Sequence, residues 1–336
     1  MQQGELLTIS TSPHIKDKDS VPRIMWTVVI SLIPAVFAGT YVFGFRALWI
    51  MLIGTISAVA TEALLQKIIK KQIAIYDGSA VVTGMLLAMI IPPGVPLWMP
   101  VIGSFCSIAL AKIPFGGLGY NIFNPALIGR AILLASFPVA MTTWQLPISI
   151  QTVNSVTNAT AIASQNIDSV SGATTLALIK GGQFAYIQPV WDLFIGRSGG
   201  SIGETSELAL LIGAIVLLVK RYITWHIPVS FIGTVALVFG LKELIGDKNF
   251  IMIPIEVFSG GLILGAFYMA TDMVTSPHTK TGGLIFGAGS GIITCVIRIL
   301  GGYPEGVCYA ILLMNAFTPL IDRYVKPKRF GIHREK

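Results

Sequence analysis

The sequence predicts an all-α integral membrane protein, and three observations carry this prediction. Hydrophobic residues make up 54% of the 336 positions and charged residues only 12%, about half the charged share of an ordinary soluble domain. Apolar runs of about 20 residues recur along the chain, and each is long enough to cross a bilayer as a helix. Most of the 23 Lys and Arg residues fall in alternate loops between these runs, as the positive-inside rule expects.

The apolar runs predict about ten transmembrane helices. In chain order they are 24–43, 47–66, 79–92, 97–113, 120–139, 207–219, 227–245, 255–275, 283–300 and 304–322. The third and sixth runs are short. Short or interrupted membrane helices are tolerated where they line a cavity or are covered by protein.

A faint internal repeat indicates how these helices are arranged. Gly103-Ser104 followed by Lys112-Ile113 recurs later as Gly289-Ser290 followed by Arg298-Ile299. The two copies lie in the fourth and ninth runs, so they cross the membrane in opposite directions. This predicts two inverted five-helix repeats with a functional site near their interface.

The charge bias divides the chain into five regions, with both termini in the cytoplasm and the long polar interval outside. The predicted regions are a cytoplasmic tail at 1–23, a first five-helix repeat at 24–140, an extracytoplasmic loop at 141–206, a second five-helix repeat at 207–324 and a basic cytoplasmic tail at 325–336.

Composition also argues against several functions. The net charge of +7 does not indicate a nucleic-acid partner, because the basic residues lie in short loops rather than on one face. Cys106, Cys295 and Cys308 fall within apolar runs without Cys-x-x-Cys spacing, so packing roles are favoured over a metal or iron–sulfur site. The chain carries no glycine fingerprint of a nucleotide-binding strand and helix.

The polar interval contains a short segment with an acid, serines, a glycine and two threonines. Its defining positions are Asp168, Ser171, Gly172, Ala173 and Thr174. A hydroxyl-rich loop with a leading acid suits covalent modification of a side-chain oxygen. A plain turn is the alternative, since Asp, Ser and Gly also collect in turns.

Acidic residues within apolar runs are functional candidates, because burying a charge in a bilayer is costly. Asp272 near the end of the eighth run and Glu62 in the second run are therefore candidates for cation handling. An intramembrane ion pair between Asp272 and Arg130 is the structural alternative. Asp77 opens the third run, where it suits the start of a helix.

Taken together, these motifs resemble the D subunit of the Rnf complex, an ion-translocating ferredoxin:NAD oxidoreductase. The B subunit of the sodium-pumping NADH:quinone oxidoreductase is similar more distantly. The resemblance covers essentially the whole chain. Besides the Thr174 segment, it rests on Asp-Gly-Ser-Ala-Val-Val-Thr-Gly at 77–84, Phe-Asn-Pro-Ala at 123–126, Thr-Asp-Met-Val-Thr-Ser-Pro at 271–277, Gly-Gly-Tyr-Pro-Glu-Gly at 301–306 and Asn-Ala-Phe-Thr-Pro-Leu-Ile-Asp at 315–322.

The resemblance implies a covalent flavin. A dedicated flavin transferase would join the phosphate of FMN to the hydroxyl of Thr174 as a phosphoester, outside the cytoplasm. Asp168, Ser171, Gly172 and Ala173 complete the attachment motif. A second, non-covalent flavin such as riboflavin is also implied among the helices, without assigned residues.

The implied function is electron transfer within the cytoplasmic membrane of a bacterium or archaeon. The chain would pass electrons between ferredoxin and NAD and couple this to Na⁺ or H⁺ movement. It would act with the A, B, C, E and G subunits of the Rnf complex, and it would not be a complete enzyme alone. The alternative is a secondary transporter or channel with inverted repeats and no redox role.

Overall fold

The computed structural model describes residues 19–71, 74–145, 147–148, 171–172, 174–182, 187–196, 198–246 and 250–326, and these are mostly helical. The helices are α1 (Val21–Phe43), α2 (Phe45–Ile68), α3 (Ser79–Met89), α4 (Trp98–Ala111), α5 (Pro125–Ser136), α6 (Pro138–Thr142), α7 (Thr175–Lys180), α8 (Val190–Ile195), α9 (Glu207–Val219), α10 (His226–Ile245), α11 (Met252–Val257), α12 (Leu262–Leu264), α13 (Lys280–Leu300) and α14 (Val307–Tyr324). Short 3₁₀ turns lie at Ile75–Asp77 and Ile202–Glu204, and a π-helix lies at Gly265–Met269.

Four of the described helices, α1, α2, α10 and α13, are long and apolar enough to cross a membrane by length and composition. Shorter apolar helices are α3, α4, α5 and α9. The predicted class, an all-α multi-pass membrane protein, is confirmed. Each predicted run except 255–275 overlaps one long or medium helix. The number of spans and their orientation stay predictions.

The run 255–275 differs from its prediction because it is broken into short pieces. Helix α11 ends at Val257, and two glycines then adopt left-handed backbone angles, with φ of +76° at Gly260 and +64° at Gly261. A side chain at either position would be strained. Helix α12 and the π-helix follow immediately. Hydropathy alone does not reveal such a break, because the run as a whole is mostly apolar.

Arg298 stabilises this break from the neighbouring helix α13. Its guanidinium donates to the backbone oxygen of Glu256 at 2.5 Å and to that of Ser259 at 2.9 Å. It also donates to the Glu256 carboxylate at 3.1 Å. Irregular backbone at membrane depth needs such partners, because no water is present to bind the freed carbonyls.

The helices pack in two clusters that meet each other. Helix α2 contacts α3 and α4 in one cluster, and α10 contacts α13 in the other. The pairs α1–α9 and α5–α14 join the two clusters. Small residues permit close approach: a Cβ added at Gly84 in α3 would lie 2.7 Å from the backbone oxygen of Gly54 in α2. The fully buried Leu32, Leu87 and Phe231 belong to the shared apolar core.

Candidate cofactor site and buried charges

Thr174 is the N-cap residue of helix α7. Its backbone is extended, and its Oγ1 accepts a hydrogen bond from the backbone N–H of Ala177 at 3.2 Å. The preceding Ser171–Gly172 forms a two-residue antiparallel pair with Trp144–Gln145. Of the other motif positions, Asp168 and Ala173 lie outside the described residues, and only the backbone of Ser171 and Gly172 is described.

The Thr174 side chain is only 6% exposed and lines a narrow cavity of about 10 Å³. Thr175 lines the same cavity and is 7% exposed. The other polar side chains that line this cavity are Ser198, Glu204, Ser259 and Glu305. Geometry alone does not separate the two threonines as modification sites, whereas the sequence motif selects Thr174.

A larger cavity of about 440 Å³ lies beside this one. Ala177, which binds the Thr174 hydroxyl, contributes to its wall, and Glu305 lines both cavities. The other walls are largely aromatic and apolar, and they include Arg130. These residues are Leu134, Met141, Trp144, Tyr303, Pro304, Cys308 and Tyr309.

Arg130 pairs with Glu305 rather than with Asp272. Its Nη2 contacts Glu305 Oε2, and both side chains are nearly buried. The predicted alternative of an Arg130–Asp272 pair is therefore wrong. Arg130 comes from α5, while Glu305 comes from the loop before α14, so the pair joins two parts of the fold that are distant in sequence.

Glu62 is held in a buried ion pair. Its Oε2 lies 2.7 Å from Lys112 Nζ, and its Oε1 accepts from Gln66 at 3.1 Å. Lys112 Nζ also donates to Ser79 Oγ at 2.6 Å. Ser79 in turn donates to Asp77 Oδ1 at 2.7 Å. The Asp77 carboxylate also accepts from the Ser79 backbone N–H at 2.9 Å, as expected for an acid at the start of α3.

Asp272 follows the π-helix and lines a different cavity of about 80 Å³. Its carboxylate accepts from the backbone N–H of Val274 and from Thr275 Oγ1, each at 3.4 Å. Lys112 lines the same cavity. The two predicted acids are thus related through Lys112, which binds Glu62 and faces the space beside Asp272.

Two further buried acids were missed by sequence reasoning. Glu204 and Glu207 are 7% and 1% exposed. Glu204 lies outside the predicted apolar runs, and Glu207 is the first residue of the sixth run, where an acid is typical of a helix start. The signal was local: Ser201 and Glu204 have the spacing of a capping box, and the structure contains one there. Such a pattern is typical of ordinary helix starts, so it does not reveal burial.

These features define a multi-pass helical membrane protein with an interrupted segment, buried ion pairs and an aromatic cavity beside a capping threonine. The chain belongs to the NQR2, RnfD, RnfE family, whose pattern matches residues 8–331.

Relatives of known name agree with this membership. The chain is 49% identical to the D subunit of the proton-translocating ferredoxin:NAD(+) oxidoreductase complex of Clostridium ljungdahlii, over 98% of this chain and 97% of that protein. It is 46% identical to the D subunit of the Na(+)-translocating ferredoxin:NAD(+) oxidoreductase complex of Acetobacterium woodii, with the same coverage. It is 40% identical to the D subunit of the ion-translocating oxidoreductase complex of Stutzerimonas stutzeri, over 94% of this chain and 93% of that one.

Proposed function

We propose that this chain is the membrane electron-carrying subunit of an Rnf-type ferredoxin:NAD oxidoreductase. In this proposal FMN is linked to Thr174 Oγ1, and electron transfer is coupled to Na⁺ or H⁺ movement. The A, B, C, E and G subunits of the Rnf complex are its partners. Both termini face the cytoplasm, and the loop with Thr174 faces outside. The names of the relatives support the complex and its reaction.

The observation that carries the flavin proposal is the cavity of about 440 Å³ next to α7. This volume lies within the range of about 300–1,000 Å³ that is usual for small-molecule sites. Trp144, Tyr303 and Tyr309 provide flat apolar surfaces, and the last two rings lie 6.0 Å apart between centroids. The residues present therefore fit a planar ring system.

The protein groups have distinct tasks around this cavity. Arg130 would offer positive charge to an electron-rich ring, and the aromatic walls would orient the ring and limit water. The Ala177 N–H donates to Thr174 Oγ1, and an ester oxygen could still accept this bond. When bound, FMN would supply the electron-carrying chemistry, which no side chain of this protein provides.

The phosphate imposes a further condition. The cavity at the Thr174 hydroxyl is about 10 Å³, roughly the space of one water and less than a phosphate group requires. Attachment of FMN therefore requires side chains around Thr174 to move apart. We propose that the transferase acts while this segment is open, before it packs against Glu204 and Ser259.

A second, non-covalent flavin such as riboflavin remains part of the proposal. The cavity beside Asp272 is about 80 Å³, smaller than usual ligand sites of about 300–1,000 Å³, so binding there requires its walls to separate. Flavin released from a denatured Thr174→Ala variant would report it. Absence of released flavin would exclude a second flavin that survives purification.

Asp272 and Glu62 are the proposed ion-coupling acids. Two of the relatives are named for proton and Na(+) translocation, respectively, so similarity does not select the ion. Both acids lie beside Lys112, whose charge links them. An ion that reaches Asp272 would change the electrostatic environment of the Lys112–Glu62 pair.

The direct test of the flavin site is in-gel fluorescence. The chain is co-expressed with an active flavin transferase, run on a denaturing gel and viewed under ultraviolet light. Thr174→Ala is the test variant, and Thr175→Ala is the matched control with similar burial. We expect fluorescence in the wild type and in Thr175→Ala but not in Thr174→Ala. A fluorescent Thr174→Ala band would refute the attachment site.

The alternative function is a secondary transporter with inverted repeats at 24–140 and 207–324. One observation favours the repeats themselves: Lys112 and Arg298, matched by the sequence repeat, both form buried ion pairs, with Glu62 and Glu256. Inverted repeats are compatible with both the electron-carrying subunit and the transporter. A dark wild-type band in the gel experiment, with the transferase shown to be active, would favour the transporter.

A further inference from the structure

Three buried carboxylates lie in the region of Thr174. Glu204, Glu207 and Glu305 are 7%, 1% and 8% exposed. Arg130 faces this group and pairs with Glu305. Arg298 also approaches, but it is bound to Glu256. Arg130 interacts with Glu204 and Glu305, and Glu207 interacts with Glu204. If all three carboxylates were ionised, three negative charges would be buried close together with Arg130 to offset them, which is costly.

Several oxygens around Glu204 are left without a partner among the described residues. Glu204 Oε1, Glu305 Oε1 and Ser259 Oγ are buried and make no hydrogen bond in this part of the chain. All three side chains line the cavity that contains Thr174. The second oxygen of each carboxylate is engaged, since Ser201 N donates to Glu204 Oε2 at 3.3 Å and Arg130 binds Glu305 Oε2. Leaving buried acceptors unpaired is unfavourable, because they have lost their hydrogen bonds to water.

The backbone is shaped to admit the Glu204 carboxylate. A Cβ added at Gly261 would lie 2.8 Å from Glu204 Oε1, and a Cβ added at Gly200 would lie 2.8 Å from Oε2. Two glycines therefore leave room for this carboxylate on both sides. The cavity of about 10 Å³ beside it has room for little more than one water.

The same surroundings affect the acidity of Glu204. Burial, together with the negative charge of Glu305, raises the pKa of Glu204 to about 7. Arg130 and the hydrogen bonds from Ser201 oppose these effects. Glu207 adds another buried carboxylate nearby.

We propose that Glu204 is a proton-binding site that compensates negative charge at Thr174. One proton turns the carboxylate into an acid whose O–H donates to Glu305 Oε1, an acceptor without a partner among the described residues. One change therefore satisfies two buried groups. The cavity in this structure has room for little more than one water, and Gly200 and Gly261 leave space for the carboxylate where the proton binds.

The charge balance is simple. Proton binding at Glu204 needs no redox partner, because a carboxylate and a proton from water give a carboxylic acid. The link to redox state rests on the proposed function: an electron delivered by reduced ferredoxin through the partner subunits adds one negative charge at the cofactor on Thr174. Uptake of one proton at Glu204 leaves the local charge unchanged.

Infrared spectroscopy of the purified complex tests the proton directly. In pH-difference spectra, the wild type should show a carboxylic acid C=O band that is lost as pH rises through about 7 and that shifts in D₂O. The band should be absent in Glu204→Gln. It should remain in Glu207→Gln, because Glu207 is also buried but does not line the cavity. Glu204→Asp should restore a band at a shifted pH.

A second measurement tests the link to the cofactor. In spectra of reduced minus oxidised complex, the same D₂O-sensitive band should increase on reduction and be unchanged by Na⁺. Gel fluorescence of each sample shows separately whether FMN is attached, so a missing flavin is distinguished from a missing proton. The proposal is overturned if flavin-loaded wild type lacks the band, if Glu204→Gln retains it, or if Na⁺ displaces it.

If Glu204→Gln fails to assemble, the wild-type spectra and Glu204→Asp still decide the question. A band that neither shifts in Glu204→Asp nor responds to reduction in flavin-loaded wild type would belong to another acid and would refute the proposal.

Discussion

Lys112 and Glu62 are separated by 50 positions in the chain and meet in the interior, with Nζ 2.7 Å from Oε2. Both side chains are 2% exposed. The pair joins α2 to the end of α4, and Ser79 Oγ extends it to α3. Glu62 therefore has a structural partner in addition to its proposed role in ion coupling, and the two roles can be separated by experiment.

Removal of one member of this pair should be far more harmful than removal of both. In Lys112→Met, Glu62 becomes an unpaired buried charge, and we expect a loss of about 3–5 kcal/mol of stability. The double variant Glu62→Leu/Lys112→Met should recover most of this loss. Thermal unfolding in detergent would measure both. If the single and double variants were equally unstable, the unpaired Glu62 charge would not be the cause of the stability lost in Lys112→Met.

The same double variant tests ion coupling. If Glu62 takes part in translocation, the double variant should fold and bind flavin but transport fewer ions in proteoliposomes. Transport equal to that of the wild type would assign Glu62 a structural role only.

Asp272→Asn should impair ion transport more than flavin content. The carboxylate faces a cavity with Lys112 and makes two long hydrogen bonds, each 3.4 Å. An amide keeps the shape but loses the charge that would attract a cation. Ion flux and its Na⁺ dependence would be measured in proteoliposomes. Glu243→Gln, at an acid that does not line this cavity, is the control, and an equal effect of both would contradict the prediction.

Long helices were predictable from the sequence because their signal is local. Helix α9 begins and ends at the predicted residues, 207 and 219, and the runs for α1, α2, α10 and α13 agree within a few positions. The break near Gly260 was not predictable. It depends on Arg298, which lies on another helix and binds the carbonyls that the break releases.

The candidate site also has a part that the sequence predicts and a part that depends on tertiary packing. Thr174 and Asp272 were chosen from motifs and from the cost of a charge in an apolar run. The partners of the buried acids depend instead on tertiary packing, which brings residues such as Arg130 and Glu305 together across 175 positions. Glu204 was missed because its sequence context is that of an ordinary helix start, while its burial results from tertiary contacts that include Gly261.

Trp144→Ala should leave FMN attached but alter its environment. Trp144 is 7% exposed and lines the 440 Å³ cavity, and it does not line the smaller cavity that contains Thr174. The denatured protein should therefore stay fluorescent on a gel. In the native complex, loss of an aromatic wall should shift the flavin absorption bands and increase flavin fluorescence. Trp191→Ala, at a tryptophan that is 71% exposed, is the control. An unchanged native spectrum in Trp144→Ala would place the ring elsewhere.

Glu204 should also make the stability of the protein depend on pH. Its pKa rises from an ordinary value of 4.5 to about 7 in the folded protein, so the folded state binds more protons than the unfolded state between these values. Stability must then fall as pH rises through this window. At about 1.4 kcal/mol per pKa unit, the difference is of the order of 3 kcal/mol.

Glu204→Gln removes this titration while keeping the shape of the side chain. Thermal unfolding of wild type and variant would be compared at several pH values from about 5 to about 8. We expect the wild type to lose stability relative to Glu204→Gln as pH rises, with the curves closest at the acid end, where Glu204 is protonated. Because burial of the charge is the main cause of the raised pKa, substitution of a surface acid should not produce this difference. Parallel curves for the two proteins would mean that the Glu204 carboxylate is ionised across the range, stabilised by Arg130 despite its burial.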